Sequence, residues 1–502
     1  MNEKLLAPHV VGLAATLAFL GLGLTVGATV YPLDDAYITL HNARSLLAGA
    51  DPNYEGVSVF AGATSGVHLI LVALLGLVLP FPVASFLVCL LGVGLYGAGM
   101  AAALERLAVP PFERVLLLLV ALAGGLASYH LLNGLETGLG MAVVAWTAAE
   151  LLRPAEERGA VMGLCIGLGP FVRPELGALS LASVALILLD LRTEDPEVRA
   201  ARWVATRRTA MVAAAVATPW IPAYLVLSGK PYPSTIAAKS AFFAEGCVPR
   251  HQKNNLVLEG LWSFLTATGP FLLFSWGLLL RREGRVLVAF VVVFVAAFYL
   301  NLPGALLHND QRYLYPLLPI AVLGVAPLAL SEERTVRQLT RGAVVVSALM
   351  VLVLGSPRAF GTARTNRDFT LDNLERTAVW LDANVRDDQT VLVHDAGYVA
   401  WRTDLRLRDM VGLKSPDVIE VHRRVTGPSC GGDRWKAIHT VAAASRPDFV
   451  VLLETWDERF QLRSGLQRAG WTLEPVYTTP SPSGYVIYEV TGTPGALQES
   501  EP

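Results

Sequence analysis

A chain of 502 residues that is 53% hydrophobic and only 16% charged, with a mean hydropathy of +0.48, is too apolar for a soluble protein of this length. The composition is that of a membrane protein, and a formal net charge of -2 without a Lys/Arg-dense block excludes a nucleic-acid-binding protein. Four cysteines are too few for a disulfide scaffold: Cys89 and Cys165 lie in apolar runs, and for Cys247 and Cys430, in polar loops, a disulfide and two free thiols are both open.

The first apolar run, 10–30, follows Lys4 and is long enough to cross a bilayer. No small-residue cleavage site follows it, so it reads as an anchor with its amino terminus in the cytoplasm rather than a cleaved signal peptide. The stretch 31–65, YPLDDAYITLHNARSLLAGADPNYEGVSVFAGATS, begins where that run ends. Its adjacent carboxylates, Asp34 and Asp35, precede a short amphipathic helix expected over 36–47. Two carboxylates held close together do not ionise independently, which suits general-base work on a hydroxyl. The competing reading is an N-cap for the helix beginning at Ala36.

Further apolar runs fall at about 66–80, 83–104, 114–132, 135–152, 160–173, 175–190, 209–228, 257–280, 286–303, 314–330 and 341–356. Basic patches separate them at 105–114, 152–158, 192–208, 281–285 and 332–341, and short Lys/Arg-rich loops stay in the cytoplasm. If 66–80 does not cross independently, about eleven crossings place every patch inside. The same assignment puts outside the acid-pair loop, NGLETG (133–138), VRPE (172–175), the loop 229–255, HNDQRY (308–313) and everything after about 361. Counting both 66–80 and 83–104 as crossings shifts this parity, and the runs flanking Arg173-Pro174-Glu175 can equally be one broken helix.

The outer loops carry the charge. Glu136 sits in a Gly-flanked turn, and Arg173 and Glu175 bracket a proline. An ionisable group left in lipid costs ~2.5 to 3.5 kcal/mol, so these three face either a cavity or one another. Lys239 in PYPSTIAAKS and the set His308, Asn309, Asp310, Gln311, Arg312, Tyr313 lie on the same expected side. Arg and Lys converging there suit a phosphate, which Arg holds bidentately and Lys as a point charge. Interfacial snorkelling explains each one separately, but less well all of them together on the acid pair's side.

After 361 the composition becomes mixed and predicts a soluble α/β module. An amphipathic stretch (371–385) precedes a strand at 390–395, a loop running to 409–413, a strand within 446–454, a helix at about 457–469 and a closing pair, VYTTP and GYVIYEV. The expected organisation is a membrane domain over 1–356, an exterior domain over 357–490 and a disordered tail over 491–502.

The ordered set DDAYITLHNARSLLAG, ATSGVHLILVALL, NGLETGL, FVRPELGAL, TPWIPAYLVLSGKPYPSTIAAK and RYLYPLLPI resembles the integral-membrane glycosyltransferases of the GT-C fold. It is most similar to the branch containing the actinobacterial terminal arabinofuranosyltransferases. The resemblance implies a polytopic α-helical membrane domain of GT-C type followed by a soluble α/β domain, in a cytoplasmic (inner) membrane with the exterior domain outside. It implies transfer of a sugar from a polyprenyl-phosphate carrier to a cell-envelope glycan, lipid or protein acceptor. Asp34 would be the catalytic base with Asp35 as its neighbour; Arg312, Lys239, Arg173 and Arg44 would contact the donor phosphate. Glu136, with Glu175, His308 and Tyr313, would line the site. His41 and Pro170-Phe171-Val172 depart from the family's usual pattern. HDAGYVAWRTDLRLRDMVGL also resembles the exterior domain of these transferases, with His394 and Asp395 either lining an acceptor groove or capping a strand end. A divalent ion could bridge carboxylates and phosphate, although no His/Cys ligand spacing argues for one. The rival functions are a lipid-carrier flippase or transporter, for which the chain has no second copy of the acid-pair loop, and a non-catalytic scaffold.

Overall fold

The computed structural model of the protein describes residues 3–27, 29–229 and 233–494. Among them, six helices are long and apolar enough to cross a membrane by length and composition, or seven if one bent pair is a single span. Four shorter apolar helices, Gly66–Gly76, Thr137–Leu151, Ala160–Val172 and Leu176–Asp190, pack with them. This is a multi-pass membrane protein.

Helix α1 (Pro8–Val26) starts on a proline, whose missing N–H falls where no partner exists, and stops at Gly27 in the left-handed conformation. Helix α2 (Asp34–Ala48) follows and lies across the end of the bundle. Its side chains Tyr37, Leu40, His41 and Asn42 are buried, because the bundle covers one face and the carboxy-terminal α/β domain the other.

The basic patches gather at the opposite end of the bundle. Arg106 and Arg153 both reach Glu150 (3.4 Å each), Arg158 and Arg282 share Asp190 (2.6 and 2.9 Å), Arg202 faces Glu156 (3.7 Å) and Arg341 faces Glu113 (3.0 Å). Each of the five patches supplies a partner to this network, so they share one surface. The pair Arg158–Asp190 also closes a hairpin: Ala160–Val172 and Leu176–Asp190 run antiparallel, with Arg173 at their tip. They are two helices and not one broken helix.

Two expected boundaries are corrected. The run 257–280 is not one straight span, for the helix Arg250–Thr268 meets the 3₁₀ segment Pro270–Leu280 at 103°. The cause is Gly269, at φ 112°, where a Cβ would approach Ser347 Oγ to 2.7 Å, followed by a proline that cannot continue the ladder. The basic patch 192–208 is not a loop: Asp195 caps a helix through the N–H groups of Glu197 and Val198, and that helix extends through the patch from Pro196 to Ala217. The expected join at 356/357 lies within one helical element (Arg334–Asn384, 51 residues), which runs from the basic end into the carboxy-terminal α/β domain, passing π turns at Val351–Gly355 and Thr370–Glu375.

The carboxy-terminal α/β domain is built on a five-stranded sheet in the order β2-β1-β3-β5-β4. Strands β1 (Thr390–Val393), β2 (Arg406–Asp409) and β3 (Phe449–Leu453) are parallel; β4 (Thr472–Thr478) and β5 (Tyr485–Gly492) close it antiparallel. Strand β2 falls within the stretch expected as a loop, its four residues RLRD being too short and charged to signal one. The helix expected at 457–469 is two, Glu454–Phe460 and Leu462–Arg468, divided at Gln461 (φ 53°). Of the expected disordered tail, Thr491 and Gly492 belong to β5, and residues 495–502 lie outside the described residues.

Candidate active site

Helix α2 begins one residue earlier than an N-cap role for its acids allows. Leu33 is the N-cap and makes no side-chain bond, so Asp34 and Asp35 occupy the first turn, where the helix dipole favours negative charge. Neither carboxylate caps its own helix; each turns to a different partner.

Asp35 faces the loops far downstream. Its Oδ2 accepts from Lys239 Nζ (3.1 Å), on the helix α3 (Thr235–Phe243), and from Arg312 Nη2 (2.9 Å). The Tyr313 hydroxyl accepts from the same two cations, at 3.4 and 3.2 Å. Burial alone would raise the Asp35 carboxyl, but Lys239 and Arg312 outweigh it and hold it well below the usual carboxylate range. Asp35 in turn outweighs the desolvation of Lys239 and raises its ammonium above the ordinary value. Two cations against one carboxylate leave an excess of positive charge. Arg312 is 5% exposed, and its Nε and Nη1 have no acceptor among the described residues.

Asp34 faces the carboxy-terminal α/β domain. Its Oδ2 accepts from the Gly397 N–H (2.8 Å) and its Oδ1 from the Tyr398 N–H (2.6 Å). The approach needs a glycine, since a Cβ at 397 would stand 2.3 Å from the Asp34 carbonyl oxygen. Burial, and after it the negative charge of Asp395, push the Asp34 carboxyl well above the usual range despite those two bonds.

A cavity of about 190 Å³ joins the two acids. Lys239 and His308 line it from the bundle side, with His394, Asp395, Trp456 and Tyr485 on the exterior side. A second space, about 210 Å³ and mostly apolar, runs past Ile236, Phe298, Leu302 and Pro174 and ends on Lys239, Tyr313 and Glu175. Lys239 lines both. Residues 308–311 turn sharply between them, with Asn309, Asp310 and Gln311 all at positive φ (47°, 57° and 59°).

Arg173 and Arg44 lie otherwise. Arg173 is fully buried and held by two glutamates, Glu136 Oε1 at 3.0 Å and Glu175 Oε1 at 2.6 Å, with the Tyr313 ring 5.5 Å away. Its charge is neutralised in place, which makes it a support under Tyr313 and Arg312 rather than an open cation. Arg44 is outside the cavity: it donates to the carbonyls of Ala400 (3.0 Å) and Trp401 (3.2 Å) and faces Asp404, at the carboxyl end of the helix Tyr398–Arg402. A cation there answers the helix dipole. Cys247 and Cys430 are joined as a disulfide, 5.6 Å between Cα atoms, tying the segment after α3 to the carboxy-terminal domain. Among the described residues no group of three or more His, Cys, Asp or Glu is placed to hold a metal ion.

His394, Asp395, Trp456 and Tyr485 complete the cavity but fall outside the sequence-based catalytic set. The signal available for two of them was HDAG following an apolar strand; nothing local marks Trp456 or Tyr485.

Comparison with known proteins places the whole chain in one architecture. ArnT from Cupriavidus metallidurans bound to undecaprenyl phosphate is similar over 94% of this chain and 97% of its own, with a TM-score of 0.52 and 13% identity. The Archaeoglobus fulgidus oligosaccharyltransferase, in complex with Zn and sulfate, is similar over 92% of this chain and 69% of its own, at 0.50 and 13%. The chain has the GT-C fold. Arabinofuranosyltransferase AftD from Mycobacteria is similar over 98% of this chain and 42% of its own, with a TM-score of 0.47 and 16% identity, so the fold assignment rests on the first two. A family model described as a domain of unknown function, DUF8728, matches residues 364–490. No curated protein matches the sequence.

Proposed function

We propose that the protein is a membrane glycosyltransferase that moves a sugar from a polyprenyl-phosphate donor to an acceptor hydroxyl on a cell-envelope glycan, lipid or protein. One observation carries this reading: Lys239, paired with Arg312 on Asp35 so that positive charge is in surplus, stands where an apolar groove meets a cavity lined by Asp34, Asp35 and Asp395. A prenyl tail suits the groove, a phosphate suits the cations, and a sugar suits the cavity. ArnT, of the same fold, was solved with undecaprenyl phosphate.

The chemistry follows from those placements. The donor phosphate competes with Asp35 for Lys239 and Arg312, whose buried donors stabilise charge as the bond between the sugar's anomeric carbon and the phosphate oxygen breaks. The phosphate leaves on its lipid carrier. The acceptor oxygen bonds to the anomeric carbon and its proton passes to Asp34, whose raised proton affinity makes it a better base than an ordinary carboxylate. Arg173, Glu136 and Glu175 hold the cation-bearing segment in place. The basic end faces the cytoplasm by the charge rule, the helices that connect the two ends act as crossings of the cytoplasmic membrane, and the α/β domain at 364–490 lies outside with the site.

The test is incubation of the purified protein in vesicles with a labelled polyprenyl-phosphate sugar and envelope glycan. Transfer of label to glycan, lost in Asp34→Asn, supports the reading. Movement of the lipid across the bilayer without transfer replaces it with a flippase.

A further inference from the structure

The wall of the cavity opposite the bundle is the carboxyl edge of the exterior sheet. His394 and Asp395 follow the last residue of β1, Val411 and Leu413 follow β2, and Trp456 follows β3, while Tyr485 opens the antiparallel neighbour β5. Ligands of open α/β sheets sit outside the carboxyl ends of the parallel strands. In this protein that edge is turned onto Asp34 instead of onto solvent, through the Gly397 and Tyr398 N–H groups.

The side chains at the edge form a connected polar set. The His394 side chain is fully buried, with Nε2 3.0 Å from Asp395 Oδ2. The Tyr485 hydroxyl donates to the same carboxylate, and the Trp456 ring lies 4.8 Å from the imidazole, centroid to centroid. The Asp395 side chain keeps 22% of its surface open and lines the cavity. Burying an imidazole and a carboxylate at a strand end costs desolvation that an apolar cap would not.

We propose that this sheet edge is a carbohydrate-binding subsite for the acceptor, in which Asp395 takes hydroxyls of a neutral sugar, His394 holds that carboxylate from behind and Trp456 lies against the sugar ring. The inference rests on the glycosyltransferase reading and names the acceptor class. Adjacent hydroxyls match the two oxygens of a carboxylate, which only accept. An aromatic face beside a polar handle suits a ring with an apolar face and a polar rim. About 190 Å³ is room for roughly six waters at liquid density, enough for one sugar ring and too little for a lipid headgroup with its chains. Asp395 on this wall, with Asp34 facing it from α2, disfavours an anionic acceptor.

The full-length protein in nanodiscs tests this by saturation-transfer NMR with methyl hexopyranosides, methyl pentofuranosides and, as the anionic control, methyl glucuronide. At least one neutral glycoside is expected to bind, with affinity at least tenfold weaker in Asp395→Asn and in Trp456→Ala. Asp395→Asn is isosteric, and an unchanged thermal unfolding midpoint separates lost binding from lost fold. Binding of none of the neutral glycosides, binding that survives both substitutions, or stronger binding of the glucuronide overturns the proposal. The glycosyltransferase reading fails by a different result: undecaprenyl phosphate that does not bind, or binds without regard to Lys239 and Arg312.

Discussion

The two ends of the helical bundle use the same pairs of ions to opposite purposes. At the basic end Arg158 and Arg282 close on Asp190, and the space left beside them is about 10 Å³, no more than one water needs. At the other end Lys239 and Arg312 also close on one carboxylate, Asp35, both on its Oδ2, yet cavities of about 190 and 210 Å³ open beside Lys239. Charge pairing alone therefore does not mark a site here. The room beside the pair does, because only there can a second anion exchange for the first.

Substitutions sharpen that contrast. The largest effect is expected from Asp34→Asn, which keeps the shape of the side chain but removes the base: kcat should fall about 10²- to 10⁴-fold in the transfer assay, with the thermal unfolding midpoint little changed. At the closed end the signature inverts. Arg158→Ala leaves a buried carboxylate short of a partner, a loss of ~3 to 5 kcal/mol for a fully broken pair. Since Arg282 still reaches Asp190, the lower figure is expected, measured by thermal unfolding in nanodiscs, with kcat of the folded fraction unchanged. Arg312→Ala should cost about 10²- to 10³-fold in kcat, as removal of a charge-stabilising donor does elsewhere. A stability loss at Arg312 without a kinetic one would make both ends structural.

The pH profile separates the two carboxylates of the pair. Asp34 must be unprotonated to act, and it is faced by Asp395 and His394 beyond β1, by Tyr485 from β5 and by Asp35 on its own helix. Its carboxyl is raised, so the acid limb of kcat should lie above ~pH 4, where an ordinary carboxylate would put it. Asp395→Asn removes the neighbouring charge and should move that limb to lower pH, whereas Asp35 is held low by Lys239 and Arg312 and should contribute no limb of its own. A limb unmoved by Asp395→Asn would deny the coupling between loop and exterior domain.

How much of this the sequence carries depends on the range of the interaction. Asp34, Asp35, Lys239 and Arg312 stand out because each is a charge in an apolar chain, and the basic patches sort the ends without any knowledge of packing. The GT-C fold follows from motifs in order along the chain. What fails is whatever depends on docking. Arg44 resembles a phosphate ligand by position, but the end of a short helix nearly four hundred residues away claims it. Asp395, Trp456 and Tyr485 join the cavity only because a sheet closes with its carboxyl edge against α2. The bend at Gly269 is hidden too, because hydropathy continues through it while the backbone does not.

The smallest effect is expected at the disulfide, where two restraints act on one segment. Cys247–Cys430 ties the end of α3 to the exterior domain, but Arg434 already holds that helix by donating to the carbonyls of Phe242 (2.8 Å) and Phe243 (3.1 Å), its guanidinium 4.5 Å from the Phe460 ring centroid. Lys239 lies one turn back from those carbonyls. With the Arg434 bonds intact, Cys430→Ser should therefore raise the KM for the lipid donor by less than about tenfold, which is ~1.4 kcal/mol. With Arg434→Ala added, what still joins α3 to the domain is the longer Arg459–Glu245 pair (3.8 Å) and the packing of Phe242 and Phe243 on Trp456 and Phe460, and the double substitution should exceed the sum of the single ones. Simple additivity would mean that the disulfide and Arg434 hold different segments, and that Lys239 is kept on Asp35 by the bundle alone.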